Sequence, residues 1–253
     1  ILSAAREREE AGLPWPEVWV LEVSSFQLET AGPFAVQAAV VLNVTEDHLD
    51  RHGSLAAYTA LKARVYEGVE TAVVVRDDAL VRDMARSAPR RVTVGSDAPG
   101  AATDFGVQEG WFVRGRQRLA PRSILPLPGR HNEIDALAAL ALAEAMGVAP
   151  EAAIEGFASF QGLPHRVETV AVRADGVRFI DDSKGTNVGA TIAALAGFDA
   201  PVILIAGGDG KGQSFAPLAQ AAHGRVRLAL LIGRDAPALE AAFAQAGVPA
   251  RRC

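Results

Sequence analysis

Short, almost uninterrupted apolar runs alternate with alanine-rich stretches along most of this chain, and that alternation limits the possible folds more than any other feature. The runs are Val18–Val23, Ala38–Val44, Thr71–Val75, Pro201–Ala206 and Arg227–Ile232. A strand that is apolar on both faces must be covered on both faces, and helices joining parallel strands provide that cover. The stretch from Ser54 to Glu67 reads as such a helix, with Ser54 as its N-cap. Another runs to about Met146, where Gly147 suits its end. From Val92 to Leu119 the pattern breaks into short segments with Gly-containing turns, which predicts a small antiparallel insert. A proline-rich link, Pro121–Pro128, leads into the helix that follows Gly129-Arg130-His131-Asn132. Val167–Val172 and Val177–Ile180 flank Ala174-Asp175-Gly176 and predict a hairpin. The reading is therefore α/β, in two domains, residues 1–162 and 163–253. The hinge is expected at Gly162-Leu163-Pro164, because Pro164 restricts Leu163 to extended geometry.

With 49% hydrophobic residues and 22% charged ones in 253 residues, the chain has the composition of a globular protein and not of a disordered one. A net charge of −5 argues against nucleic acid or an anionic membrane as the main partner. No run reaches the ~18 consecutive apolar residues of a spanning helix. The one cysteine, Cys253, excludes a disulfide framework within the chain and a cysteine metal cluster, and fits the reducing cytoplasm. The chain begins without methionine and stops soon after a helix-like segment, so an internal piece of a longer protein is expected.

Three polar clusters follow predicted strands, where open α/β sheets place ligands. Glu22-Val23-Ser24-Ser25-Phe26-Gln27-Leu28-Glu29 puts an acid at a strand end, which is costly unless it is paired or bound to a cation. The same residues also read as a helix cap. Asn43-Val44-Thr45-Glu46-Asp47-His48-Leu49-Asp50 combines an imidazole with three carboxylates. That set suits a hard divalent metal or an oriented water, or simply a polar loop. Lys62 lies fourteen residues beyond His48, on the predicted helix, where a lysine is most often solvated. The third cluster comprises Pro164-His165-Arg166, Asp181-Asp182-Ser183-Lys184-Gly185-Thr186-Asn187 and Gly207-Gly208-Asp209-Gly210-Lys211-Gly212. Glycines after a strand let backbone N–H groups approach an anion. This glycine run is neither a Walker A loop nor a dinucleotide fingerprint. Together the clusters fit a phosphate-handling enzyme working in an interdomain cleft.

The order Leu21-Glu22-Val23-Ser24-Ser25-Phe26-Gln27-Leu28-Glu29, Leu42-Asn43-Val44-Thr45-Glu46-Asp47-His48-Leu49-Asp50-Arg51, Gly162-Leu163-Pro164-His165-Arg166 and Asp182-Ser183-Lys184-Gly185-Thr186-Asn187 resembles the Mur ligases of peptidoglycan synthesis. The likeness covers nearly the whole chain. Its wording favours the member that joins D-glutamate to UDP-N-acetylmuramoyl-L-alanine. The resemblance implies a central parallel-sheet ATPase-type domain followed by an incomplete Rossmann-like domain. It implies ATP-dependent amide formation through an acyl phosphate, two Mg2+ ions, a carbamylated lysine and a monomer. By motif position, Glu22, His48 and carbamylated Lys62 would hold the magnesium ions, and Ser24 and Gln27 would lie near the muramoyl substrate. Asn132, Arg166 and Asp182 would contact ATP, and Lys184, Thr186 and Lys211 the incoming D-glutamate and nearby phosphate. The family's uridine-binding domain, its Gly-Thr-Asn-Gly-Lys-Ser/Thr loop and its distal C-terminal motif are not in these residues. Asp135 stands where the family has Asn, which bears on adenine recognition. The rivals are a ligase for another amino acid, a folylpolyglutamate synthase-like enzyme, and a non-catalytic nucleotide- or partner-binding α/β protein.

Overall fold

Apolar runs become strands in this chain only where a neighbouring strand lies beside them. The computed structural model describes residues 2–32, 35–127 and 129–253, so Pro128, the end of the proline-rich link, lies outside the described residues. After α1 (Leu2–Glu10) and α2 (Ser25–Thr30), the chain lays down β1 (Ala38–Val41), α3 (Leu49–His52), α4 (Leu55–Ala63), β2 (Thr71–Val75), α5 (Ala79–Met84) and β3 (Arg90–Val94). β4 (Phe105–Gln108), β5 (Trp111–Arg114) and β6 (Gln117–Pro121) follow. All six strands form one sheet in the order β1-β2-β3-β4-β5-β6. Pairing is parallel from β1 to β4 and antiparallel from β4 to β6. The expected antiparallel segment is thus a meander that extends the main sheet, and β3, placed within it from sequence, belongs to the parallel half.

Ser54 caps α4 as its hydroxyl accepts the Ala57 N–H. α6 (Arg130–Ala145) and α7 (Pro150–Ser159) complete this half. Ile134, Leu137 and Leu140 of α6 join Val73, Val74, Phe105 and Phe112 in one apolar core. Tyr66 ties the sheet together from within. Its hydroxyl accepts the Val41 N–H and donates to the Val73 carbonyl, each at 2.9 Å. Burial pushes this phenol up to about 12, from an ordinary value of 10. Folding therefore favours the neutral form. The stability this group contributes is complete below pH 10 and drains away as pH rises from about 10 to about 12, by at most about 2–3 kcal/mol. Tyr66→Phe is expected to cost about 1–3 kcal/mol near neutrality, because two ladder groups lose their partner. Urea unfolding of both proteins at pH 8 and pH 11.5 checks this. The gap between them should narrow at the higher pH, and a constant gap would contradict the assignment.

The rest of the chain forms β7 (Glu168–Val172), β8 (Arg178–Asp181), α8 (Val188–Ala196), β9 (Val202–Gly207), α9 (Ala216–Ala222), β10 (Val226–Ile232), α10 (Ala236–Gln245) and β11 (Ala250–Arg252). β7 and β8 make the expected hairpin. β11, β10 and β9 form a parallel sheet in that order, and none of the three sheets spans Gly162. A second apolar core, built on Leu195, Leu218, Leu231 and Phe243, shares no residue with the first. β11 was not foreseen.

Two expectations fail here. Val18–Val23 is not a strand but an extended, solvent-facing segment, with Val20 89% exposed. Among the described residues β1 pairs with β2 alone, so the run does not add to the open edge of the sheet and its backbone stays outside any ladder. β9, expected to be buried, is covered on one face only, because Ile203 and Ile205 stand 61% and 67% exposed.

Candidate functional site

The loop after β1 turns abruptly at His48, which adopts a left-handed conformation with φ 51°. Non-glycine residues hold this conformation only when their surroundings fix it. Here the Asp47 carboxylate accepts the His48 N–H at 2.9 Å. α2 closes on the same loop, and Phe26 meets the His48 ring edge-on at 5.0 Å. The Ser25 hydroxyl lies 3.0 Å from His52 Nε2, and His52 in turn stacks on Tyr58. The Lys62 ammonium, one turn along α4 from Tyr58, sits 5.1 Å from that ring. Desolvation lowers the Lys62 pKa, and the Asp47 charge opposes the shift only in part. His48 and Lys62, singled out from sequence, are therefore gathered around Asp47.

Residues from the second half reach the same carboxylate. Lys211 Nζ lies 3.2 Å from Asp47 Oδ1, and Asn187 Nδ2 donates to Asp47 Oδ2 at 3.3 Å. Lys211 also has a left-handed backbone, φ 53°, in the loop that leaves β9. Asn187 at the same time caps α8, its amide oxygen accepting the Ala190 N–H. The sheet ends of both halves thus converge on Asp47. Its prominence escaped sequence reasoning because Glu46, Asp47 and Asp50 are three similar acids in one loop. Only Asp47 is buried, at 9% exposure, while the other two are exposed.

A second cluster joins the start of α6 to the linker. The charges of His131 and Arg166 both act on Asp135 and Asp182, and desolvation is the larger influence on each acid and raises its pKa. Asn132 is the neighbour of His131, so the three residues expected at ATP, Asn132, Arg166 and Asp182, lie in one region. Asp182 also accepts the Val167 N–H. The raised pKa moves Asp135 toward its acid form, which both donates and accepts as an amide does. Next to Asp182 in the chain, Asp181 is bonded by His165 Nδ1 at 2.7 Å, and that contact with the Ser183 N–H holds Asp181 at about 2. His165, Glu168 and Asp181 bring potential ligand atoms within 4.8 Å of one another. The histidine already bonds both acids, through its ring and its N–H, so the cluster serves as a clasp in the linker.

Other expected site residues stay apart. Ser24 and Gln27 cap α2 with each other's polar groups, as the alternative reading of that string held. Glu22 is exposed and makes no ion pair with His48 or Lys62. Lys184 and Thr186 sit exposed in a tight turn closed by the Thr186 N–H on the Lys184 carbonyl. Neither pairs with Lys211 among the described residues.

Two α/β halves, each with its own core, meet through polar and charged residues near their strand ends. The sequence pattern of the Mur ligase middle domain matches residues 9–143, and that of the Mur ligase glutamate ligase domain matches residues 165–252. The chain belongs to the Mur ligase family. It is 54% identical over 247 residues to a UDP-N-acetylmuramoylalanine–D-glutamate ligase of Aromatoleum aromaticum, covering 96% of this chain and 53% of that protein. It is 49% identical to the like-named enzyme of Dechloromonas aromatica, over 99% of this chain and 55% of that protein. The chain spans about half the length of the curated relatives it matches. Among solved structures, MurF from Acinetobacter baumannii superposes with a TM-score of 0.63 at 22% identity, over 85% of this chain and 50% of that one. UDP-N-acetylmuramate-alanine ligase MurC from Thermotoga maritima gives 0.63 at 18% identity, over 90% and 53%. At such identities these two speak for the fold alone. No helix among the described residues is long and apolar enough to cross a membrane.

Proposed function

We propose that the whole protein carrying this chain joins D-glutamate to UDP-N-acetylmuramoyl-L-alanine at the expense of ATP, in the cytoplasm and as a monomer. Its middle and C-terminal units would be residues 1–162 and 163–253. The convergence of Lys211 with the Asp47-His48-Lys62 group carries this reading. A carboxylate is a poor electrophile, and phosphorylation gives it a leaving group that the amine of the second substrate displaces. Both ATP and the muramoyl carboxylate are anions, so a divalent cation fits the reaction. An imidazole, an exposed acid and a lysine with a lowered pKa fit such a cation once the lysine is carbamylated, because a carbamate offers anionic oxygens to a hard metal. Glu22, His48 and Lys62 would hold the two Mg2+ ions. The metal would supply charge neutralisation at the phosphates.

The chain's own residues divide the remaining work. Asn132, Arg166 and Asp182 orient ATP at the linker. Ser24 and Gln27 lie at the start of α2, whose Phe26 meets His48, which suits contact with the muramoyl part. Lys184, Thr186 and Lys211 face the amino-acid substrate, where lysine serves a carboxylate as a point charge. The test is ADP release by the whole protein that depends on both substrates. Lys211→Ala should raise the D-glutamate KM about 10-fold or more and leave the ATP KM nearly unchanged, since losing one charged hydrogen bond costs ~1.5–3 kcal/mol. A raised ATP KM with an unchanged D-glutamate KM would move Lys211 to the phosphates.

A further inference from the structure

We infer that Asp47 is a positioning residue that clasps the two units together and sets Lys211 for the amino-acid substrate. The inference rests on the ligase reading for its last clause only. Four observations carry it. Asp47 is nearly buried, and a buried carboxylate must be paired or protonated. The two side chains that hydrogen-bond to it among the described residues, Asn187 and Lys211, come from the other half of the chain, 140 and 164 residues away, while the His48 ring of its own loop stands at 3.7 Å. The three residues at the junction are held from more than one side. Asn187 is the α8 cap, Lys211 is fixed in a left-handed turn with its N–H on Asp209, and His48 is fixed by Asp47 itself. The Thr45 side chain of the same loop also packs against the α8 backbone, since a Cβ at Gly189 would stand 2.9 Å from it.

These contacts assign Asp47 a role distinct from its neighbours. His48 and Lys62 lie on one side of the junction and the amino-acid lysine on the other. A carboxylate that bonds both sides at once fixes their separation. An ammonium has three donors. Asp47 takes one, leaving two for a substrate carboxylate, so Asp47 can hold Lys211 in place while the substrate binds. Truncating Asp47 frees Lys211 to swing outward and removes an anchor from Asn187.

The test uses the native Cys253, which is exposed and is the only cysteine. A spin label there and a second at Arg116→Cys, an exposed turn of the first half, report the distance between the two units. In the 253-residue chain Asp47→Ala should broaden the distance distribution, and Asp47→Asn, which keeps the shape but not the charge, should broaden it less. In the whole protein Asp47→Asn should raise the D-glutamate KM roughly 10-fold while leaving the ATP KM within about twofold, the signature of one lost charged contact on the amino-acid side. Unchanged distance distributions in both variants would overturn the clasp. So would an Asp47→Asn enzyme whose D-glutamate KM equals that of the wild type. Distances broadened by the Asp47 variants, together with a wild-type whole protein that ligates nothing, would keep the clasp and sink the ligase reading instead.

Discussion

Lys62→Ala in the whole protein should reduce ligation roughly 100-fold or more, and millimolar acetate should restore part of it. Lys62 is packed over Tyr58 beside Asp47, and desolvation lowers its pKa. That shift enlarges the fraction of neutral amine, which is the form that adds carbon dioxide. As a free ammonium, Lys62 would repel a cation held by His48, by about 4 kcal/mol for unit charges 4 Å apart at an effective dielectric near 20. As a carbamate it reverses the sign of that interaction and adds two oxygen ligands. The size of the expected loss follows the general cost of removing one preorganised charge from a reacting site, roughly 10²–10³-fold. Acetate supplies an oxygen pair in the space the alanine leaves. Lys62→Arg should be as poor as Lys62→Ala, because a guanidinium cannot form the carbamate. A fully active Lys62→Ala enzyme, or an arginine variant equal to wild type, would return Lys62 to the status of an ordinary helical lysine.

Gly207→Ala should unfold the C-terminal sheet. Gly207 ends β9 at φ 148°, and a Cβ there would stand 1.8 Å from the Ile232 carbonyl oxygen of β10. That oxygen also accepts the Gly208 N–H, so it cannot step aside without breaking the β9–β10 edge. Backbone strain and overpacking together set the expected cost at about 3 kcal/mol or more. The second core depends on this edge, since Ala229 and Leu231 of β10 are fully buried against the helices. Hydrogen exchange should show lost protection across residues 202–252, with protection of β2 and β3 retained. All three tryptophans, Trp15, Trp19 and Trp111, lie in the first half, so indole fluorescence should change little. Gly156→Ala is the control. It sits inside α7 with open space at its Cβ, and there alanine should stabilise by up to about 1 kcal/mol. Equal protection in the Gly207 variant and the wild type would contradict this reading of the strand crossing.

Much of this organisation can be read from residue order. Ser54 precedes a helical pattern and becomes its cap, because N-capping depends on three or four consecutive residues. Gly176 in the β7–β8 turn has φ 88° and closes a hairpin that the two runs flanking Ala174-Asp175-Gly176 announced. The four long motifs, in register, pointed to the Mur ligase family, since each string is a local matter of residue type and spacing. Strand formation itself is not local. Val18–Val23 and Thr71–Val75 have the same apolar character, yet only the second lies between two strands and completes its backbone hydrogen bonds. The exposure of Ile203 and Ile205 likewise depends on what covers the far face of β9. The site divides along the same line. The sequence by itself determined which side chains were available for chemistry, His48, Lys62 and Lys211 among them. Only the tertiary structure decided that Asp47, and not Glu46 or Asp50, receives Lys211 and Asn187. Those partners lie more than a hundred residues away, and a pairing over that distance depends on how two separately packed cores present their strand ends, which no local spacing records.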